Sequence, residues 1–188
     1  IAPIQAIVIP IGKDEEIAGV VDSLSSSLKE RNISYKIDNS NKTPGFKFAE
    51  AEVKGYPVRI EIGKRDLENN CVTVVRRDTL EKYQVSIIEV ASFIKNLFGE
   101  IQQNMYDKAL KRRDSMINDA NNWEEFTDIA KNKPGFIKAN WCGDEACENK
   151  IKDLFSMKSR CLIEDEEIHT NCVVCGKKAN YRLYFGKQ

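Results

Sequence analysis

The 188-residue sequence lacks any apolar run near the length of about 20 residues that a membrane-spanning helix needs, so no membrane partner is expected. It also lacks an excess of either charge, because 29 Lys and Arg residues balance 29 Asp and Glu residues. A net charge of zero argues against bulk electrostatic capture of nucleic acid. It leaves room for a local basic face, on which phosphate contacts depend.

The sequence begins Ile1-Ala2-Pro3 and has neither an initiator Met nor a signal-peptide pattern. We therefore expect it to be a piece of a longer chain. Apolar residues make up 41% and charged residues 31%, which is typical of a globular protein. Of the six cysteines only Cys71 lies in the first hundred residues, which favours a cytoplasmic protein with a local metal site over a disulfide framework.

Four cysteines in the C-terminal third form two close pairs, C-x4-C and C-x2-C, separated by 24 residues. The first pair is Cys142 and Cys147, and the second is Cys172 and Cys175, followed by Gly176. Thiolates at these spacings form two knuckles that can close a tetrahedral shell around one zinc ion. Four sulfur ligands leave no open position for water, so the pattern predicts a structural zinc site rather than a hydrolytic one.

An alternative is that the two cysteine pairs are unrelated and that the C-x2-C pair is redox-active. A redox pair is typical of a helix N-terminus in a βαβ setting, whereas this one precedes Gly176 in a predicted turn, which favours zinc. His169 is expected on the surface, and Cys71 is expected to be a small core side chain. Cys161 falls in a predicted strand, with a place beside the metal left open.

Hydrophobic periodicity predicts an α/β fold in the first hundred residues, with a mixed β-sheet flanked by helices. The predicted strands cover 4–11, 34–38, 58–62, 71–76 and 82–85, the predicted helices cover 15–31, 46–54 and 87–98, and 39–45 and 63–70 are predicted as a loop and a charged turn. Strict alternation places Val58, Ile60 and Ile62 towards the core.

The remainder divides into two further predicted parts. Residues 101–130 are polar and without Gly or Pro, which predicts connecting helices. Residues 131–188 are predicted as a small α+β zinc-binding domain, which follows the α/β domain of residues 1–100. Its predicted elements are strands near 136–140, 159–163 and 179–185 and a helix near 144–155.

The segment from Pro44 to Lys82 places many charged side chains and several aromatic rings on this α/β frame. Alternation puts Arg59 and Glu61 on the face opposite the core strip. Aromatic rings stack on unpaired bases, carboxylates accept from the guanine edge, and basic groups donate to bases or phosphate. A solvated face whose charges pair with one another is the alternative, and composition alone favours it.

The sequence of this segment resembles that of the anticodon-binding domain of the prolyl-tRNA synthetase family. The resemblance rests on Pro44-Gly45-Phe46-Lys47-Phe48, on the run from Lys54 to Gly63, on Arg65-Asp66 and on Val75-Arg76-Arg77-Asp78-Thr79. Trp141-Cys142-Gly143, Cys172-Val173-Val174-Cys175-Gly176 and Tyr184-Phe185 resemble the C-terminal zinc domain of the archaeal/eukaryotic-type, class II members.

The resemblance implies that this part reads the anticodon of proline tRNA, in which two guanines are shared. It implies Phe48 as a stacking platform and Glu52 and Asp66 as acceptors from the guanine edge. The donors that it implies for base edges or phosphate are Arg59, Lys64, Arg65 and, more weakly, Lys82.

The resemblance also implies a missing catalytic domain of the same chain, which uses ATP and Mg²⁺ to attach proline to tRNA in the full-length enzyme. The class II motifs for that chemistry are not found in these residues, so this part alone is expected to be non-catalytic. The resemblance further implies that the full-length protein is a homodimer.

Two positions depart from the family pattern. Relatives with the zinc domain usually end in a tyrosine, whereas this sequence ends Gly186-Lys187-Gln188. Lys64 stands where many relatives carry proline, so the stiffness of this turn can differ. Two rival interpretations stay open: the anticodon domain of a threonyl-, histidyl- or glycyl-tRNA synthetase, which the zinc tail disfavours, and a non-catalytic interaction module stapled by zinc.

Overall fold

The computed structural model describes residues 2–187. Ile1 and Gln188, the two ends of the sequence considered above, lie outside the described residues. The chain folds as two compact units, Ile1–Asp107 and Lys108–Gln188. None of the helices in the described part of the chain combines the length and apolarity that a bilayer crossing requires.

Unit 1 contains a five-stranded mixed sheet with the strand order β2-β1-β3-β4-β5, which confirms the predicted fold class. Its elements are β1 (Ala6–Ile11), α1 (Glu15–Glu30), β2 (Tyr35–Ile37), α2 (Pro44–Lys54), β3 (Val58–Gly63), α3 (Lys64–Glu68), β4 (Cys71–Arg76), β5 (Lys82–Ser86) and the part of α4 (Val90–Ser115) up to Asp107. The strand β1 pairs in parallel with β2 and β3, and β3-β4-β5 continue antiparallel.

The sheet of unit 1 is covered on both faces, because alternate residues of β1 point to opposite sides. Ala6 and Val8 join the large core formed with α1 and the first part of α4. Ile7 and Ile9 pack on the other face against Ala51 of α2. The helices α1 and α2 therefore lie on opposite faces of the same sheet.

Two local predictions in unit 1 differ from the structure. The segment predicted as a charged turn contains the helix α3, which has five residues and therefore too little length for apolar periodicity to reveal it. The helix predicted to end at Phe98 continues through Gly99 to Ser115, because residues 100–115 contain no further Gly and no Pro to stop it.

Unit 2 contains a second sheet with the strand order β6-β7-β9-β8. Its elements are β6 (Ile117–Ala120), α5 (Trp123–Asn132), β7 (Phe136–Trp141), α6 (Glu145–Phe155), β8 (Met157–Leu162) and β9 (Tyr181–Lys187). Residues 101–130, predicted as connecting helices, thus also supply β6, which pairs with β7, and α5. The strand β6 has only four residues, and its pairing depends on a partner distant in sequence.

One glycine brings β6 and β7 together. Gly135 has a φ of +98°, and a Cβ at this position would overlap the carbonyl group of Met116. The next residue, Phe136, donates its N–H to the same Met116 carbonyl oxygen at 2.8 Å. The close approach therefore requires glycine.

Candidate functional site

The side chain of Arg59 organises the polar face of unit 1, where it is only 9% exposed beneath α2. Its Nε donates to Glu61 Oε1 at 2.8 Å, and its Nη1 donates to Glu52 Oε1 at 2.9 Å. The guanidinium carbon lies 4.5 Å from the centre of the Phe48 ring, a cation–π contact. One buried cation thus holds an aromatic ring and a carboxylate of α2 in fixed positions.

The carboxylate of Glu52 remains accessible in this arrangement, because its side chain is 46% exposed. Phe48 is half-buried. Arg77 also contacts this part of α2, since its Nε donates to the Glu52 carbonyl oxygen at 3.0 Å. A ring and a carboxylate presented together to solvent can stack on a base and accept from its edge.

Asp66 serves as the local anchor of α3. Its Oδ2 accepts from the Gly63 N–H at 2.9 Å, and its Oδ1 accepts from the Thr73 hydroxyl at 2.9 Å. The carboxylate therefore joins the end of β3, α3 and the strand β4. Sequence analysis missed Thr73, although the alternation of β4 places it on the side opposite Val72 and Val74.

The basic residues Lys64, Arg65 and Lys82 are all exposed. Their side-chain nitrogens have no hydrogen-bond or ion-pair partner among residues 2–187. They are thus available as donors to an incoming ligand, which distinguishes them from Arg59, whose Nε and Nη1 are already engaged. The structure brings Phe48, Glu52 and Arg59 into direct contact, and it places Asp66 on α3, which directly follows the strand that carries Arg59.

The turn between β4 and β5 is held by a buried ion pair. Arg76 donates through Nε and Nη2 to the two carboxylate oxygens of Asp78, both at 2.8 Å, and the two side chains are 8% and 7% exposed. The hydrogen bonds from Arg76 hold the pKa of Asp78 at about 2 against the opposing effect of burial, and Asn104 adds a further donor. This pair positions Arg77 and Lys82 on either side of the turn.

We expect unit 1 to lose stability in acid because of Asp78. Its folded pKa lies below the ordinary value of 3.8, so the stabilisation is complete above pH of about 4 and is lost as the pH falls towards 2. The loss is about 2 kcal/mol. Asp78→Asn should remove this pH dependence in amide hydrogen exchange of β4, whereas the exposed Asp22→Asn should retain it. An unchanged acid profile in Asp78→Asn contradicts the assignment.

The four predicted cysteines come together in unit 2. Their sulfur atoms all lie within 4.8 Å of one another. Cys142 Sγ lies 3.7 Å from Cys147 Sγ and 3.8 Å from Cys175 Sγ. Four thiolates about 2.3 Å from one zinc ion form a tetrahedron with edges of about 3.8 Å, so the cluster fits zinc.

The backbone around Cys172 supports a thiolate. Burial opposes its ionisation, but N–H groups of Cys175, Val174 and Cys142 donate to its sulfur and lower its pKa to about 7. Burial raises the pKa of Cys147 well above its ordinary value. A divalent cation relieves this conflict, since metal binding displaces the thiol protons.

The other candidate ligands lie apart from this cluster. Cys161 is exposed on β8, and His169 is exposed as predicted. Cys71 is half-buried, and its thiol donates to Gln84 Oε1 at 2.9 Å, so the prediction of a core side chain was wrong. It lies at the start of β4, where the hydrophobic core gives way to polar side chains.

Comparison with known proteins identifies the class of the first unit. Residues 5–97 match the family model described as "Anticodon binding domain". Residues 123–188 match the model described as "Prolyl-tRNA synthetase, C-terminal", which separates this chain from threonyl, histidyl and glycyl relatives. The chain belongs to the prolyl-tRNA synthetase family and comprises its C-terminal anticodon-binding region.

Relatives from bacteria and a solved structure agree with this assignment. The proline–tRNA ligase of Clostridium novyi (strain NT) is 46% identical over 191 residues, which cover 100% of this chain and 39% of that protein. The proline–tRNA ligase of Lachnospira eligens is also 46% identical, with 100% and 40% covered. The crystal structure of prolyl-tRNA synthetase from Cryptosporidium parvum with L-proline and AMP has a TM-score of 0.92 at 36% identity, and the match covers 100% of this chain and 41% of that one.

Proposed function

We propose that this chain binds the anticodon of proline tRNA on the polar face of unit 1, for the ATP-dependent attachment of proline to tRNA. The observation that carries the proposal is the joint presentation of Phe48 and Glu52 by the buried Arg59. Phe48 stacks on an anticodon base, and Glu52 accepts from the Watson–Crick edge of a guanine. Lys64, Arg65 and Lys82 supply donors to base edges or phosphate.

Arg59 and Asp66 have different roles in the proposed binding of the anticodon. Arg59 is buried and engaged by two carboxylates, so it acts chiefly by positioning Phe48 and Glu52. Asp66 has both oxygens engaged by Gly63 and Thr73, and a carboxylate oxygen can accept a second hydrogen bond. It therefore positions α3 and accepts from the guanine edge with its remaining capacity.

We also propose that the four-cysteine cluster holds a structural zinc ion. When bound, zinc supplies cross-linking between the two knuckles and no reaction chemistry. The chain spans 39% of the length of the Clostridium novyi relative. The proposal for the whole protein therefore has three further parts. These are activation of proline with ATP and Mg²⁺, dimerisation, and contact with a catalytic domain of the same chain. The proposal includes a cytoplasmic location, where the thiols of the four-cysteine cluster stay reduced and can bind a metal ion.

We expect the chain to bind a proline anticodon stem-loop much more tightly than the same stem-loop with both guanines replaced by adenine. Each well-read base contributes about 1–3 kcal/mol, so one lost guanine contact weakens binding about 10- to 100-fold. Glu52→Gln should lose discrimination between the two RNAs, and Phe48→Ala should weaken binding to both. Fluorescence anisotropy of labelled RNA measures these affinities.

Two exposed positions provide matched controls. Val53→Ala alters α2 at a side chain that is 86% exposed, and Glu30→Gln removes an exposed carboxylate at the end of α1. Both should leave binding unchanged. Equal affinity of the native chain for the two RNAs contradicts anticodon reading and favours an interaction module stapled by zinc.

A further inference from the structure

A row of polar side chains crosses the sheet of unit 1 on the face that α2 covers. Glu61 of β3 has Ile9, which packs against α2, as its partner on β1. On its other side Glu61 pairs with Thr73 of β4, and Thr73 pairs with Gln84 of the edge strand β5. Directly opposed residues of paired strands point to the same face, so the row continues the polar face of unit 1 outward to the exposed Gln84.

A chain of hydrogen bonds joins Gln84 to Asp66. The Thr73 hydroxyl donates to Asp66 Oδ1 at 2.9 Å, and Gln84 Nε2 donates to the Thr73 oxygen at 2.9 Å. An ionised carboxylate can only accept, so the single proton of the hydroxyl is committed to Asp66. The Thr73 oxygen therefore meets the amide nitrogen of Gln84 rather than its oxygen. The charge of Asp66 thus sets the orientation of an amide that lies two hydrogen bonds away.

Cys71 fixes the same orientation from the other end of the amide. Its sulfur lies 2.9 Å from Gln84 Oε1 and 3.4 Å from the Asp66 carbonyl oxygen, and its one proton serves the nearer acceptor. Burial, with the charge of Asp66 adding to it, raises the pKa of Cys71, so the sulfur stays a protonated donor. A rotated amide would place its oxygen against Thr73 and its nitrogen against the thiol, which loses both hydrogen bonds.

The exposed amide of Gln84 keeps one donor and one acceptor position unused. Nε2 carries two N–H groups and Oε1 can accept two hydrogen bonds, whereas each atom has one partner among residues 2–187. A donor whose direction is fixed before binding costs little entropy when a ligand arrives. It favours a ligand with an acceptor at that place and disfavours one with a donor there.

Asp66 and Gln84 together match the Watson–Crick edge of a guanine. Asp66 Oδ1 and Gln84 Nε2 each lie 2.9 Å from the Thr73 oxygen, so the two atoms are at most 5.8 Å apart. Guanine carries its N1–H and N2–H donors beside its O6 acceptor, so one base can reach a carboxylate and an amide donor at this spacing. Adenine has an amino group in place of O6 and lacks both N–H donors, so it fits neither side chain.

We propose that Gln84 is a specificity-determining residue of the anticodon site, where its unused N–H donates to O6 of the guanine whose N–H groups Asp66 accepts. This inference rests on the proposed function, because it needs an anticodon guanine beside Asp66. Thr73, which is only 8% exposed, and Cys71 are positioning residues that hold the amide without contacting the base. The edge strand β5 thereby contributes a base-reading side chain to the polar face of unit 1.

Two guanine analogues separate the contact of Gln84 from that of Asp66. In 6-thioguanosine a sulfur atom, which is a weak acceptor, replaces O6, whereas inosine keeps O6 and lacks the N2 amino group. Each analogue is placed in turn at the two guanine positions of the proline anticodon stem-loop, and fluorescence anisotropy measures binding to the complete 188-residue chain. At one of the two positions each analogue should weaken binding about three- to tenfold, since one hydrogen bond is lost or weakened.

Gln84→Ala should weaken binding of the guanine stem-loop about three- to tenfold. At the same position the variant should no longer distinguish 6-thioguanosine from guanosine, yet it should keep the full penalty for inosine. Gln103→Ala is the matched control, because it removes the same side chain at an exposed position of α4, whose buried residues lie on the other face of the sheet. It should bind all three RNAs as the native chain does. The response of the native chain to 6-thioguanosine tests the O6 contact without any substitution.

The proposal is overturned if the native chain binds 6-thioguanosine as tightly as guanosine at both positions, or if Gln84→Ala keeps the native response to it. Loss of the inosine penalty together with the 6-thioguanosine penalty in Gln84→Ala also overturns it, because Gln84 then acts only by positioning Asp66. These results leave a preference of the native chain for guanine over adenine intact. A native chain without that preference contradicts the proposed function itself, and Gln84 then has no guanine to read.

Discussion

Removal of zinc is expected to unfold unit 2 while unit 1 keeps its sheet. Four thiolates bind zinc with an apparent free energy of about 10–16 kcal/mol in small zinc domains, which is comparable to the whole stability of a typical domain. Cys172→Ser should have the same effect, because Cys172 is buried within the cluster. The two tryptophans of the sequence, Trp123 and Trp141, both pack in unit 2, so their fluorescence reports its unfolding selectively.

Cys161→Ser provides the matched control for the zinc prediction. It removes a thiol from the same unit at an exposed position outside the cluster. Its fluorescence and metal content, measured by elemental analysis, should match those of the native chain. An unchanged tryptophan spectrum after treatment with a chelator, or recovery of the four cysteines as two disulfides, contradicts the structural zinc site.

Arg59→Met is expected to destabilise unit 1 by about 3 kcal/mol or more. The substitution leaves Glu61, whose side chain is 9% exposed, as a buried carboxylate without its counterion. It also releases Glu52 and Phe48 from the guanidinium. Amide hydrogen exchange of β3 and β4 measures the loss, because these central strands exchange only through large openings of the unit.

A double variant separates the two effects of Arg59. Arg59→Met combined with Glu61→Met removes both charges, so most of the lost stability should return while RNA binding stays weak. Arg77→Met, at an exposed arginine that donates to a backbone carbonyl, should cost less than about 1 kcal/mol. No recovery in the double variant would falsify the view that an unpaired Glu61 causes the destabilisation.

The patterns that are local in sequence predicted most of the fold. Alternation in Val58–Gly63 identified both the strand and its core face, and Gly55, in the left-handed conformation with a φ of +80°, ends α2 at the predicted place. The strand β6 escaped prediction because only its pairing with β7 defines it. Sequence patterns predict an element when its own apolar periodicity determines the structure. They do not predict an element whose structure is determined by pairing with a residue range distant in sequence.

The same distinction between local patterns and tertiary contacts applies to the candidate sites. The spacing of the cysteine pairs predicted which sulfurs converge, since each knuckle is local. Alternation indicated the face of Arg59 but not its burial, because the cover supplied by α2 is a tertiary property.

The distribution of the cysteines also sets the order in which the protein can form during synthesis. The elements of unit 1 up to β5 are complete before Cys142, the first cysteine of the four-cysteine cluster, has been made. Unit 2 requires β9, which pairs with both β7 and β8, and the proposed metal site requires Cys175, the last of its four cysteines. Because domains fold as units from the N-terminus, we expect the anticodon-binding fold to form first and unit 2 to mature only after the proposed metal ion has bound.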